Sequence, residues 1–153
     1  MKAALQNILK GEVVIVGVGN VLKGDDAFGP ELIKRIQNKI PAVCIDAGTA
    51  PENHTKRIVQ QKPDTILLVD VAHLDSAPGT VALLEKEDII KSGFTTHDIS
   101  PRMFMDYLAS QTQAHIVLLG IQPKNLSLGD DMSESVKKKL DEIETLMRGV
   151  LHA

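Results

Sequence analysis

Short runs of β-branched and aliphatic residues recur along this chain, at EVVIVG (12–17), AVCID (42–46), TILLVD (65–70), TVALL (80–84) and HIVLLG (115–120), with longer segments of helical period between them. A continuous apolar run suits a strand buried on both faces, and strands alternating with helical segments build a largely parallel sheet covered on each side. That alternation restricts the chain to the α/β class. Phe28, Leu32, Ile33, Ile36 and Ile40 mark one helical face. Ser100-Pro101 reads as an N-cap followed by proline at the first helical position, opening a helix that runs to about Ser110. A last helix from about Ser133 to Gly149 carries Val136, Leu140, Ile143 and Met147 on one side. One connection breaks the pattern. Only VAHLDSAPG separates Asp70 from Thr80, less than a parallel crossover needs, so the strand at 80–84 is expected to be antiparallel and at a sheet edge. The expected architecture is three layers, α/β/α, around a mixed five-stranded sheet.

The chain has 153 residues, 43% of them hydrophobic, enough for one well-buried core, and residues 1–153 are read as a single domain. Its 17 Lys and Arg against 20 Asp and Glu leave a net charge of −3, so no global basic field exists to hold nucleic acid or an anionic membrane. The cationic run Lys137 to Lys139 lies in the helical pattern KKKLDEIETL and reads as a solvated face with paired charges. No apolar stretch reaches the length of a membrane span, and MKAALQNILKGE lacks a long apolar region and a small-residue cleavage site. A cytoplasmic protein is expected. Cys44 is the single cysteine, which excludes an internal disulfide and a cysteine zinc cluster and fits a reducing compartment.

The first strand opens into GVGNVLKGDDAFG, residues 17–29. Glycines after a strand suggest a phosphate-binding loop, but Gly17, Gly19 and Gly24 have the wrong spacing, and Asp25 and Asp26 put negative charge where a pyrophosphate would sit. A nucleotide-binding module is disfavoured on that ground. Ligands of open α/β sheets gather outside the carboxyl ends of the parallel strands, and this sequence loads that edge with acids. Strand one runs into Asp25 and Asp26, strand two ends at Asp46, and strand three ends at Asp70. The segment EKEDIIKSGFTTHD is long enough to return the chain to the same edge and deliver His97. Carboxylates and an imidazole converging in one cleft suit a divalent-metal site for an ion such as zinc or nickel, a general acid/base site, or both. Each residue also has a structural reading. Asp25 or Asp26 could cap the following helix, Asp46 could form an Asx-type turn with Gly48, and His97 could be a satisfied structural histidine. Asp70, at the end of a buried strand, is costly as a charge unless paired or metal-bound. Cys44, between Val43 and Ile45, reads as a core residue; a Cys44–His97 peptidase is the alternative. Met103 and Met105 read as packing residues, and His54, His73, His115 and His152 have no comparable placement.

The segments GVGNVLKGDDAFGP, IDAGTAPEN, TILLVDVAHLDSAPGTV, TTHDI and LLGIQP, in that order over about residues 13–123, resemble the [NiFe]-hydrogenase maturation endopeptidases, most closely the HycI type. The resemblance implies an endopeptidase that removes a short C-terminal extension from a hydrogenase large-subunit precursor once nickel has been inserted. It maps the family's metal ligands onto Asp26, Asp70 and His97, and its functionally important strand-two aspartate onto Asp46. Asp26, Asp46 and Asp70 are then the candidate catalytic carboxylates. The attacking water would be activated either by the metal or by a carboxylate such as Asp46. Nickel is expected to arrive with the precursor, with zinc or another divalent ion able to substitute. The expected partner is the precursor, without nucleic acid or membrane insertion, and the expected state is a monomer. A non-enzymatic nickel-sensing chaperone of the precursor would use the same ligands. Beyond LGIQP, the segment KNLSLGDDMSESV departs from the family pattern.

Overall fold

The computed structural model describes residues 1–92 and 100–152. Five strands, β1 (Val13–Val18), β2 (Val43–Gly48), β3 (Thr65–Val71), β4 (Val81–Leu84) and β5 (His115–Ile121), form one sheet in the order β2-β1-β3-β5-β4. β1 pairs in parallel with β2 and β3, and β3 pairs in parallel with β5. β4 runs antiparallel to β5 at the edge, as the short 72–80 connection requires.

Alternation along the strands divides the core in two. Val13, Ile15, Leu67, Val69, Val117 and Leu119 face the helices α1 (Lys2–Ile8), α2 (Phe28–Ile36) and α6 (Glu134–Val150). Val14, Val16, Ile45, Ile66, Leu68 and Leu118 face α3 (Thr55–Gln60), α4 (Lys86–Ser92) and α5 (Pro101–Gln111). Every position of β1 and β3 is buried, which is the state a central parallel strand requires. Each fully buried aliphatic or aromatic side chain in these layers contributes about 1.5–3 kcal/mol.

The helical faces follow the sequence periodicity. Phe28, Leu32, Ile33 and Ile36 are buried on α2; Ile40 lies beyond its end and is buried too. Val136, Leu140, Ile143 and Met147 are buried on α6. Ser100 caps α5 by accepting from the Met103 amide at 3.1 Å, with Pro101 in the first turn. Of the two methionines flanking Phe104, Met105 packs in the core while Met103 is exposed, so only Met105 is a packing residue. Lys137 and Lys139 pair with Glu134 and Glu142 along the α6 surface, three residues apart in each case. Among the described residues no helix is long and apolar enough to cross a membrane.

Candidate active site

The carboxyl ends of β1, β2, β3 and β5 define one edge of the sheet. β1 ends at Val18, and the chain turns at Gly19, whose amide donates to the Gly48 carbonyl at the end of β2 at 2.8 Å. Gly19 has φ +151, and a Cβ there would collide with the Asp26 carbonyl oxygen. The glycine therefore lets the loop fold back over its own start. Residues Gly24–Ala27 form a 3-10 turn that leads into α2 and packs against β3.

Asp26 is 2% exposed in this turn. Its Oδ2 accepts from the Asn20 amide at 2.8 Å, and Asn20 Oδ1 accepts from the Leu22 amide at 2.9 Å. The side chain thus closes the loop on itself instead of capping α2, whose N-terminus has no side-chain cap. Asp70 is 3% exposed near the end of β3, and its Oδ1 accepts from the Val71 amide at 2.8 Å. It lines a small cavity with Val18, Leu68, Leu118, Phe104, Pro51 and Pro101. This cavity lies on the α5 side of the sheet.

Asp46 belongs to the same edge but differs in setting. It pairs across the ladder with Gly17, on the face that carries Ile15 and Cys44 and looks toward α2, and it is exposed. Its Oδ1 accepts from the Gly48 amide at 3.0 Å, which is the Asx-type turn. Asp70, one residue beyond the β3 partner of Gly17, points to the opposite face. The structure therefore brings Asp26 and Asp70 onto adjacent elements and sets Asp46 on the outer strand β2. His97 lies outside the described residues. Among the described residues no three His, Cys, Asp or Glu side chains form a metal-sized group.

Asp25 has a different environment from its neighbour. It is fully buried, and its carboxylate accepts from the amides of Lys124 (2.8 Å), Asn125 (3.1 Å) and Ser133 (2.7 Å) and from the Ser133 hydroxyl (2.9 Å). These donors lie about a hundred residues away, and no local pattern announces them. Gln122, in the LLGIQP segment, pins the β3–β4 connection. Its Oε1 accepts from the Leu74 amide at 2.6 Å, while its Nε2 donates to the Pro123 carbonyl and lies 3.4 Å from His73 Nδ1.

Cys44 is half-buried against the α2-side core, and burial pushes its thiol up to about 11. A nucleophilic cysteine needs the opposite shift. His115 sits at the start of β5, at the far edge of the sheet, against Glu85 at 2.8 Å.

Known proteins share the sequence and fold of this chain. The family model of the hydrogenase maturation protease HycI matches residues 30–149. A Methanocaldococcus jannaschii protein provisionally named a hydrogenase maturation protease is 35% identical over 94% of this chain and 91% of its own length. The hydrogenase 3 maturation protease of Escherichia coli K12 is 30% identical over 89% of this chain and 88% of its own. The crystal structure of a [NiFe] hydrogenase maturation protease HycI from Thermococcus kodakarensis KOD1 superposes with a TM-score of 0.87 at 28% identity, over 96% of this chain and 97% of that one. With its fold and four-fifths of its length matched in this way, the chain belongs to the HycI family of hydrogenase maturation proteases.

Proposed function

We propose that this protein cuts the C-terminal extension from the precursor of a [NiFe]-hydrogenase large subunit after nickel insertion, and that Asp26, Asp70 and His97 engage the nickel the precursor carries. The observation that supports this reading is the pair of almost fully buried carboxylates, Asp26 and Asp70, on adjacent elements at the carboxyl edge of a HycI-family sheet. Burying such charges costs several kcal/mol unless hydrogen bonds, counter-charges or a cation compensate. Carboxylate oxygens joined by an imidazole suit a borderline ion such as nickel, with zinc or another divalent ion able to substitute.

Nickel is then part of the substrate. Engaging it would hold the neighbouring peptide bond beside the acids, so that recognition doubles as a check that the metal has been inserted. Asp46, exposed at the same edge, is the carboxylate with solvent access and the candidate base for the attacking water.

The test is the intact mass of a large-subunit precursor after incubation with the protein, nickel-loaded against nickel-free. One C-terminal peptide is expected to leave the loaded form alone. Asp26→Asn, Asp70→Asn and His97→Ala are each expected to slow that loss about a hundredfold or more. An unchanged mass in both forms would mean a nickel-sensing chaperone instead, and full activity in His97→Ala would remove that residue from the ligand set.

A further inference from the structure

Asp25 stands next to a residue placed in the nickel site, yet its side chain turns away to the opposite side of the turn. Its two oxygens take up three amides and a hydroxyl, all from the segment between β5 and α6. The same two stretches of chain are joined by backbone bonds as well. The Gly24 amide donates to the Asp130 carbonyl, the Asp25 amide to the Asn125 carbonyl and the Gly129 amide to the Leu22 carbonyl. Gly24 has φ +55, and the Asn125 side-chain oxygen, buried without a hydrogen-bond partner, fills the space a Cβ would need. Residues 20–27 and 123–133 are therefore interlocked with Asp25 at the centre.

Ser133 shows what this arrangement displaces. It occupies the N-cap position of α6, where a serine oxygen ordinarily accepts from an amide of the first turn. Here it makes no such bond and gives both its amide and its hydroxyl to Asp25. The carboxylate also lies against the N-terminus of a 17-residue helix, the end that favours negative charge. α6 is in turn anchored to α2 through Arg35, which contacts both Asp141 and Glu144.

We propose that Asp25 is a positioning residue: by clamping the 20–27 loop to the 123–133 segment and the start of α6, it holds Asp26 in the orientation that engages the metal. This rests on the reading that Asp26 belongs to the nickel site. A carboxylate on a surface loop loses geometric precision unless its neighbours are fixed, and an error of about 1 Å can cost about a hundredfold in rate. The Asn20 amide reports the outcome directly, because it bonds Asp26 and has no contact with Asp25 among the bonds described.

The experiment uses Asp25→Asn in the full chain, assayed well below its melting temperature so that the protein is folded. Processing of nickel-loaded precursor is expected to show kcat lowered about tenfold to a hundredfold with KM within about twofold. Amide exchange followed by NMR is expected to be about tenfold faster or more at Asn20, with the β3 amides unchanged, a local effect that mere loss of stability would not produce. Wild-type kcat or unchanged Asn20 exchange would overturn the proposal. If Asp25→Asn does not fold, Ser133→Ala removes the hydroxyl donor alone and is read by the same two criteria with a several-fold effect, restored in Ser133→Thr. Asp26→Asn serves as the control. Its full activity would defeat the nickel-site reading, whereas an inactive Asp26→Asn beside a wild-type Asp25→Asn would defeat only the positioning role.

Discussion

Cys44 carries the alternative chemistry for this fold, a thiol attack, and its half-buried setting works against it. With the thiol pushed up to about 11 by burial, the thiolate fraction at pH 7 is on the order of one in ten thousand. Cys44→Ser is expected to process precursor within about twofold of the wild-type rate, and iodoacetamide at pH 7 to leave the rate unchanged. Loss of activity in both experiments would restore the cysteine route. The sequence places Cys44 among apolar neighbours, and that was sufficient to assign it. The acid pair was less legible. Asp25 and Asp26 are the same residue type one position apart, and spacing favours capping for Asp25 while leaving Asp26 evenly divided between capping and catalysis. What separates them is the direction in which each side chain leaves the 3-10 turn, Asp26 toward the Asn20 amide and Asp25 toward Ser133.

At the scale of elements, α4 and α5 are tied together by charged side chains. Lys86, at the start of α4, lies 3.0 Å from Asp106 on α5, and Arg102 reaches the same carboxylate at 3.5 Å and the Lys86 carbonyl as well. The Lys86 hydrogen bond, with the nearby positive charges of Lys86 and Arg102, holds the Asp106 carboxyl below the usual carboxylate range. A carboxylate with a lowered folded-state value contributes stability that is fully present above its unfolded value, about 3.9, and is lost as pH falls through the folded value. Asp106→Asn is therefore expected to lower the melting temperature slightly at pH 7. The gap between the two proteins should close on acidification below about pH 3.9 and also shrink in high salt, because the pair is solvent-exposed. A constant gap down to pH 2 would refute the assignment. Long elements with a clear apolar stripe, α2 and α6, were legible from their periodicity. α1 and α3 were not, since seven and six residues with no side-chain cap and little buried surface leave almost no pattern to detect.

For the whole molecule, both cores share β1, β3 and β5, and the central strand β3 places Leu67 and Val69 in one layer and Ile66 and Leu68 in the other. Neither layer can dissolve without exposing a face of the same strand. Thermal unfolding is expected to be one transition, with calorimetric and van't Hoff enthalpies agreeing to within about 10%, and a ratio well above one would show that the layers melt separately. What the sequence determined by itself was everything that depends on local periodicity and chain length: the strand runs, the faces of α2 and α6, the cap of α5, and the antiparallel β4 that a nine-residue connection cannot make parallel. It also delivered Asp26, Asp46 and Asp70 to one edge, because the carboxyl ends of parallel strands must lie together. Only the tertiary structure decided how those acids are placed. Strand order puts Asp26 beside β3 and leaves Asp46 on an outer strand, the pleat turns Asp46 and Asp70 to opposite faces, and Asp25 finds its donors a hundred residues away. Such choices follow from packing between distant segments, which no stretch of sequence encodes on its own.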